Sequence, residues 1–105
     1  MANEGCLFCQ IINKEISTAL VYEDPEVVVF SDIKPKARVH LLVVPREHIS
    51  TFLDLGDNHF LLLTKMVKVV QRIIEDQKLQ GGYQLIFNGG KYQHVPHLHW
   101  HLLGD

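Results

Sequence analysis

The stretch HLHWHLL, His97–Leu103, alternates imidazole and apolar side chains with a period of two. Only an extended strand puts residues i, i+2 and i+4 on one face. His97, His99 and His101 would then line one side, with Leu98, Trp100 and Leu102 packed into a core on the other. Neighbouring imidazoles on such a face stand roughly 6–7 Å apart, close enough for each charge to disfavour the next. Neutral imidazole is the form that acts as nucleophile, general base or metal ligand, so the spacing points to chemistry at neutral pH. A single strand histidine is usually just a satisfied polar residue. Three in alternation beside the glycine loop NGGKYQHV ask for a function, and the interleaved apolar residues exclude an expression tag.

The rest of the chain supplies the layers that strand needs. ALVYED and EVVVFSD read as two strands separated by the Asp24-Pro25 turn. HLLVVPR is a third, and its unbroken apolar run suggests a central strand covered on both faces and ended by Pro45. YQLIF is a fourth, followed by the polar loop NGGKYQHVP. From Asp57 to about Leu79 the period changes. Phe60, Leu63, Val67, Val70 and Ile74 follow steps of three and four, marking one stripe of a long amphipathic helix. Asp57 is placed as its N-cap and Gly81-Gly82 as its stop.

Leu7, Phe8, Ile11 and Ile12 recur at helical spacing, so residues 5–13 are expected to form a short helix with one buried face. His59 reads as a solvated helix position and His94, off register behind Pro96, as a loop residue. The expected architecture is an α+β fold, a five-stranded antiparallel sheet with one long and one short helix, as a single domain over residues 1–105.

Composition narrows the function. An apolar fraction of 47% is enough for a core, and a net charge of −2 offers no basic field for a polynucleotide or an anionic membrane. A single nucleotide needs no such field. The opening MANEGCLFC lacks the basic start and long apolar run of a secretory leader, and no stretch approaches the roughly 20 apolar residues that span a bilayer. A soluble, cytoplasmic protein is expected. Its two cysteines, Cys6 and Cys9, form a C-x-x-C, too few for a disulfide framework. By itself the pair fits a metal half-site, a redox pair or two small core residues. A thioredoxin-like pair would follow a strand, and nothing before Cys6 could form one.

Taken together, these stretches resemble the histidine triad (HIT) superfamily, in its Hint-like branch. HLHWHLL matches the triad signature His-φ-His-φ-His-φ-φ, where φ is apolar, and Asp32–Ile49 matches the block D-I-x-P…H-x-L-V-x-P-x-x-H-I. The likeness continues through CLFCQIINKEI, the long helix, IFNGG and QHVPHLHWHLL, covering nearly the whole chain.

The resemblance implies an enzyme in which His99, the middle histidine, attacks the α-phosphate of a nucleotide. The nucleotidyl-histidine so formed is then hydrolysed by water. His101 would contact the phosphate and His97 would complete the triad. Asp32 matches the acidic residue that bonds the ribose hydroxyls, Asn88 and Gln93 match positions on the phosphate or leaving group, and Phe8, Ile11, Phe30 and Ile33 match the lining of a purine slot. Taken alone, Asp32 would pass for a strand-end turn residue and the four apolar residues for core.

The family also implies a structural Zn2+ held by Cys6, Cys9, His48 and His97, a closed Cys2His2 set, with His40 a less favoured ligand. Homodimers are common in it, with the long helix and a strand meeting across a two-fold. Two positions depart from the pattern. His94 stands where many Hint-like proteins carry Ser or another small residue, and Tyr92 where Gly commonly precedes the Gln. The substrate class implied is purine nucleoside phosphoramidates or similar AMP conjugates. The competing readings are a purine-nucleotide-binding interaction module with little turnover, and a domain whose histidines serve only a metal.

Overall fold

β-branched runs become strands and the segment of helical period becomes a helix. In a computed structural model, which describes residues 5–105, α1 (Leu7–Ile12) precedes β1 (Leu20–Glu23), β2 (Val27–Ser31) and β3 (Val39–Pro45). α2 (Phe60–Asp76), β4 (Tyr83–Ile86) and β5 (Trp100–Gly104) follow. All pairings are antiparallel, in one sheet of order β1-β2-β3-β5-β4. This is the expected α+β architecture. Residues 1–4, the start of the segment read as leaderless, lie outside the described residues. Among the described residues, no helix is long and apolar enough to cross a membrane.

The two helices cover opposite faces of the sheet, which explains the unbroken apolar run of β3. Val39, Leu41 and Val43 of β3 join Val27, Val29 and Leu102 under Leu62, Met66, Val69, Val70 and Ile73 of α2. The alternate residues Leu42 and Val44 join Val28 and Phe30 under Cys6, Phe8, Cys9 and Ile11 around α1. Every residue of β3 is buried. In α1 the buried face is Phe8, Cys9 and Ile11, whereas Leu7 turns outward.

Five expectations change. Of the stripe Phe60–Leu63–Val67–Val70–Ile74 only Val70 is buried in the core: Phe60 and Val67 are 67% and 43% exposed, and Leu63 and Ile74 only flank it. The other buried residues, Leu62, Met66, Val69 and Ile73, lie one position back, a rotation of about 100°. Apolar side chains occupy more than one face of this helix, so periodicity alone could not choose which of them the sheet would cover.

The helix also begins at Phe60 rather than Asp57. His59 is not solvated but 8% exposed; its Nδ1 accepts the Gly56 N–H at 3.0 Å and its Nε2 lies 3.1 Å from Glu47 Oε2, which holds Asp57–His59 in a separate 3-10 turn. At the other end, Lys78 rather than Gly81-Gly82 takes the left-handed conformation, with φ 58°, and the Leu79 N–H bonds back to Ile74 O at 2.9 Å. Leu79, 1% exposed, is the apolar plug of this Schellman-type stop.

The last strand is shorter than the alternation suggested. Trp100 pairs with Val43 and His101 with Leu42, but the ladder stops before His99. Continuing it would bring Leu98 opposite Pro45, which has no N–H to give. The Leu98 N–H bonds instead to Ile49 O at 2.6 Å. His97–His99 therefore leave the sheet while keeping the alternate facing of their side chains.

An L side chain at the left-handed Lys78 position is strained relative to glycine. Lys78→Gly should raise stability by about 0.5–1 kcal/mol, read as a higher urea midpoint at unchanged slope; an unchanged or lower midpoint would show that the helix stop does not carry this strain.

Candidate active site and metal centre

α1, the segment after β3 and the start of β5 converge on His97. Its ring is fully buried and uses both nitrogens: Nε2–H donates to Pro45 O at 2.8 Å, and Nδ1 lies 3.3 Å from Cys6 Sγ and 3.5 Å from Cys9 Sγ. His48 Nδ1 sits 3.1 Å from Cys9 Sγ, while its Nε2 meets Ser50 Oγ at 3.1 Å. Cys6 is the N-cap of α1 and Cys9 lies in its first turn, so the helix start itself sets the thiol spacing; the Cys9 N–H reaches Cys6 Sγ at 3.3 Å.

The four ligand atoms lie within 4.8 Å of one another. A tetrahedral ion with bonds of about 2.3 Å to sulfur and 2.0 Å to nitrogen has S···N edges of about 3.5 Å, close to these separations. With its Nε2–H given to Pro45 O, His97 has the Nδ1 lone pair free for a ligand bond, and the Ser50 contact allows His48 the same tautomer. The donor set therefore fits a metal ion. Burial pushes the His97 pKa down to about 4, with electrostatic contributions from the His48 and His99 rings in the same direction, so the ring is neutral at pH 7. Burial pushes the Cys6 thiol up.

His97 also positions the next imidazole through its backbone. His99 Nδ1–H donates to His97 O at 2.7 Å, which fixes the tautomer and leaves the Nε2 lone pair for chemistry. The Phe8 ring meets the His99 ring edge to face, at 4.9 Å and 89°, and packs on Phe30 at 5.5 Å. Burial lowers the His99 pKa against the opposing bond to His97 O, so this nitrogen is unprotonated at neutral pH.

A second cluster lies next to it. His40 Nδ1 accepts the Lys36 N–H at 3.1 Å, so the neutral ring carries its proton on Nε2, which lies 3.0 Å from His101 Nδ1 and 3.5 Å from Asp32 Oδ2. His101 then accepts at Nδ1 and presents Nε2–H as a donor. Burial first, and the repulsion of His99 and His40 next, lower the His101 pKa. Asp32, His40 and His101 also lie close enough to share a metal, but the backbone N–H on His40 Nδ1 puts the ring proton on the nitrogen that would have to ligate. Hydrogen bonding describes this cluster better.

The structure thus brings His97, His99, His101, Asp32, Phe8, Ile11 and Phe30 to one side of the sheet and gathers Cys6, Cys9 and His48 around His97. Ile33 is not packed with them; it is 89% exposed. Gln93 acts as a brace, its Nε2 donating to Ser50 O at 2.7 Å and Val95 O at 2.9 Å, and Asn88 is half-buried just beyond β4. His40 was placed by sequence only as a distant candidate ligand. Its alternation with Leu42 and Val44 was the signal that it faces the same side as His101.

The chain is similar to known proteins along nearly its whole length. The family model described as "Scavenger mRNA decapping enzyme C-term binding" matches residues 5–105. The chain is 41% identical over 103 residues to Protein HitA of Neisseria gonorrhoeae, covering 96% of each. It is 38% identical over 104 residues to a purine nucleoside phosphoramidase of Escherichia coli, covering 96% of this chain and 87% of that one. A HIT family hydrolase from Legionella pneumophila superposes with a TM-score of 0.92 at 39% identity, covering 95% of this chain and 92% of that one.

Titrating the metal-free protein with Co2+ should produce the intense visible bands of a tetrahedral site with thiolate ligands, abolished in Cys9→Ser. A featureless spectrum in the native protein would mean that the four side chains do not close on one ion.

Proposed function

Because the chain belongs to the histidine triad superfamily, we propose that it is a nucleotide hydrolase or transferase of that type, acting on purine nucleoside phosphoramidates or related AMP conjugates. The observation that carries this reading is the His99 ring, buried, unprotonated at neutral pH and pinned at Nδ1 to the His97 carbonyl. Its free Nε2 attacks the α-phosphorus, forming a nucleotidyl-histidine, and water then releases the nucleotide. Nδ1–H keeps its bond to His97 O throughout, so the positive charge that develops on the phosphorylated ring has an acceptor already in place. His101 offers Nε2–H to the phosphoryl oxygens. Asp32 Oδ1 is held by the Lys34 N–H at 2.8 Å, and the carboxylate accepts the ribose hydroxyls. Phe8, Ile11, Phe30 and Ile33 hold the base, and Asn88 and Gln93 border the phosphate.

The resident ion at Cys6, Cys9, His48 and His97 is proposed to be zinc in a structural role, tying α1 to the segment that carries His99. Thiols kept for a metal suit a reducing, cytoplasmic setting. A homodimer is also proposed. β4 pairs with β5 alone and leaves an open sheet edge, on which Tyr83, Leu85, Ile86 and the following Phe87 are 53%, 45%, 38% and 47% exposed. An apolar open edge of this kind is a pairing surface for a second copy.

Release of AMP from adenosine 5′-phosphoramidate should fall about 10⁴-fold or more in His99→Ala, with AMP still binding. Native-level turnover in that variant would remove His99 from the mechanism, and AMP binding without turnover in the native protein would favour the binding-module reading. Sedimentation at micromolar concentration should find dimers of the native chain and monomers of Leu85→Lys; a native monomer, or a variant that still dimerises, would show that the β4 edge is not the interface.

A further inference from the structure

The side-chain amide of Gln93 is used up on the backbone. Its Nε2 lies 2.7 Å from Ser50 O and 2.9 Å from Val95 O. Both partners are carbonyl oxygens, so the nitrogen has to be the atom that faces them, and each takes one of its two hydrogens. Only Oε1 is left over, and an acceptor gains nothing against a phosphate oxygen. The side chain can border a phosphate but does not donate to it.

The backbone it holds belongs to the cysteine–histidine centre. Ser50 lies two residues after His48, and its Oγ meets His48 Nε2 at 3.1 Å. Val95 O takes a second hydrogen, from the His97 N–H at 2.8 Å. Between these contacts Ile49 O accepts the Leu98 N–H at 2.6 Å, which ties segment 48–50 to segment 93–98. Gln93 therefore closes a circuit that runs from His48 through Ser50 to Gln93, and on through Val95 to His97. It returns through Cys9 Sγ, 3.5 Å from His97 Nδ1 and 3.1 Å from His48 Nδ1. The same residue ends the glycine loop. Its N–H donates to Gly90 O at 3.1 Å, beside the Tyr92 N–H to Gly89 O at 3.2 Å, in the 3-10 turn Gly90–Tyr92.

We infer that Gln93 is a positioning residue that couples the cysteine–histidine centre to the glycine loop, so that a metal ion at Cys6, Cys9, His48 and His97 stiffens the loop. The loop's place beside a phosphate rests on the proposed hydrolase; the coupling rests on the bonds of Gln93 alone. Contacts between a thiol and an imidazole are weak hydrogen bonds, whereas bonds to one ion fix both rings. Fixing His48 and His97 removes freedom from the two carbonyls that the Gln93 amide spans. A loop anchored on fixed points has less entropy to lose when a phosphate binds. Such coupling is reciprocal, so a phosphate that orders the loop tightens the metal by the same factor.

Amide hydrogen exchange at residues 92 and 93 reports on the loop without any turnover. Loading the native protein with Co2+ should slow both amides about tenfold. In Gln93→Leu, which keeps the bulk but has no donor, the visible bands of the Co2+ site should persist while both amides exchange alike with and without metal. Gln93→Glu, whose oxygens would face two carbonyls, should be uncoupled in the same way. Calorimetry should find that AMP tightens Co2+ binding in the native chain, and does so less in Gln93→Leu by about threefold or more. Native amides indifferent to Co2+, or amides slowed as much in both variants as in the native chain, would overturn the role of Gln93. A native chain that shows the coupling yet releases no AMP from adenosine 5′-phosphoramidate would remove the hydrolase reading and leave the coupling of loop and metal centre standing.

Discussion

The ring of His97 is the point on which the site depends. It bonds Pro45 O on one side and reaches both thiols on the other, while its own carbonyl orients His99. A residue with no exposed surface can hold such a position only because each of its polar atoms finds a partner. Displacing it would disturb the cysteine–histidine cluster, the end of β3 and the tautomer of His99 together. A metal at this centre would be one carbonyl away from the His99 ring.

Burial and hydrogen bonding divide the histidines into distinct roles. Desolvation holds His97, His99 and His101 neutral near pH 7. Which nitrogen carries the proton is then set by the partner on the other: Pro45 O for His97, His97 O for His99, and the Lys36–His40 chain for His101. The outcome is one ring turned to the thiols, one with a free Nε2 lone pair and one that presents an N–H, drawn from one residue type.

Much of the fold could be read from pattern. Alternation in HLHWHLL placed Leu98 and Leu102 in the core opposite the imidazoles, and the run HLLVVP marked a strand covered on both faces. The misreadings have physical causes. The face of α2 was misjudged because several of its faces are apolar, and only contact with β3 selects Leu62 and Met66 over Phe60 and Val67. His59 was taken for a surface residue because its partners, Gly56 and Glu47, meet it only once the loop before α2 has folded. The left-handed residue after α2 is Lys78, against the rule that favours glycine, because the burial of Leu79 in the core offsets the strain.

Local chemistry and periodicity are written in the order of residues, so the sequence by itself determined the strand and helix types, the imidazole face of the last strand and the C-x-x-C at a helix start. Tertiary structure alone decided which histidines became partners. His40 and His101 are 61 positions apart and Cys6 and His97 are 91 apart. A tautomer is chosen by the group that meets the ring in space, and those groups arrive from β3, the loop after β2 and α1 only when the antiparallel register brings them together.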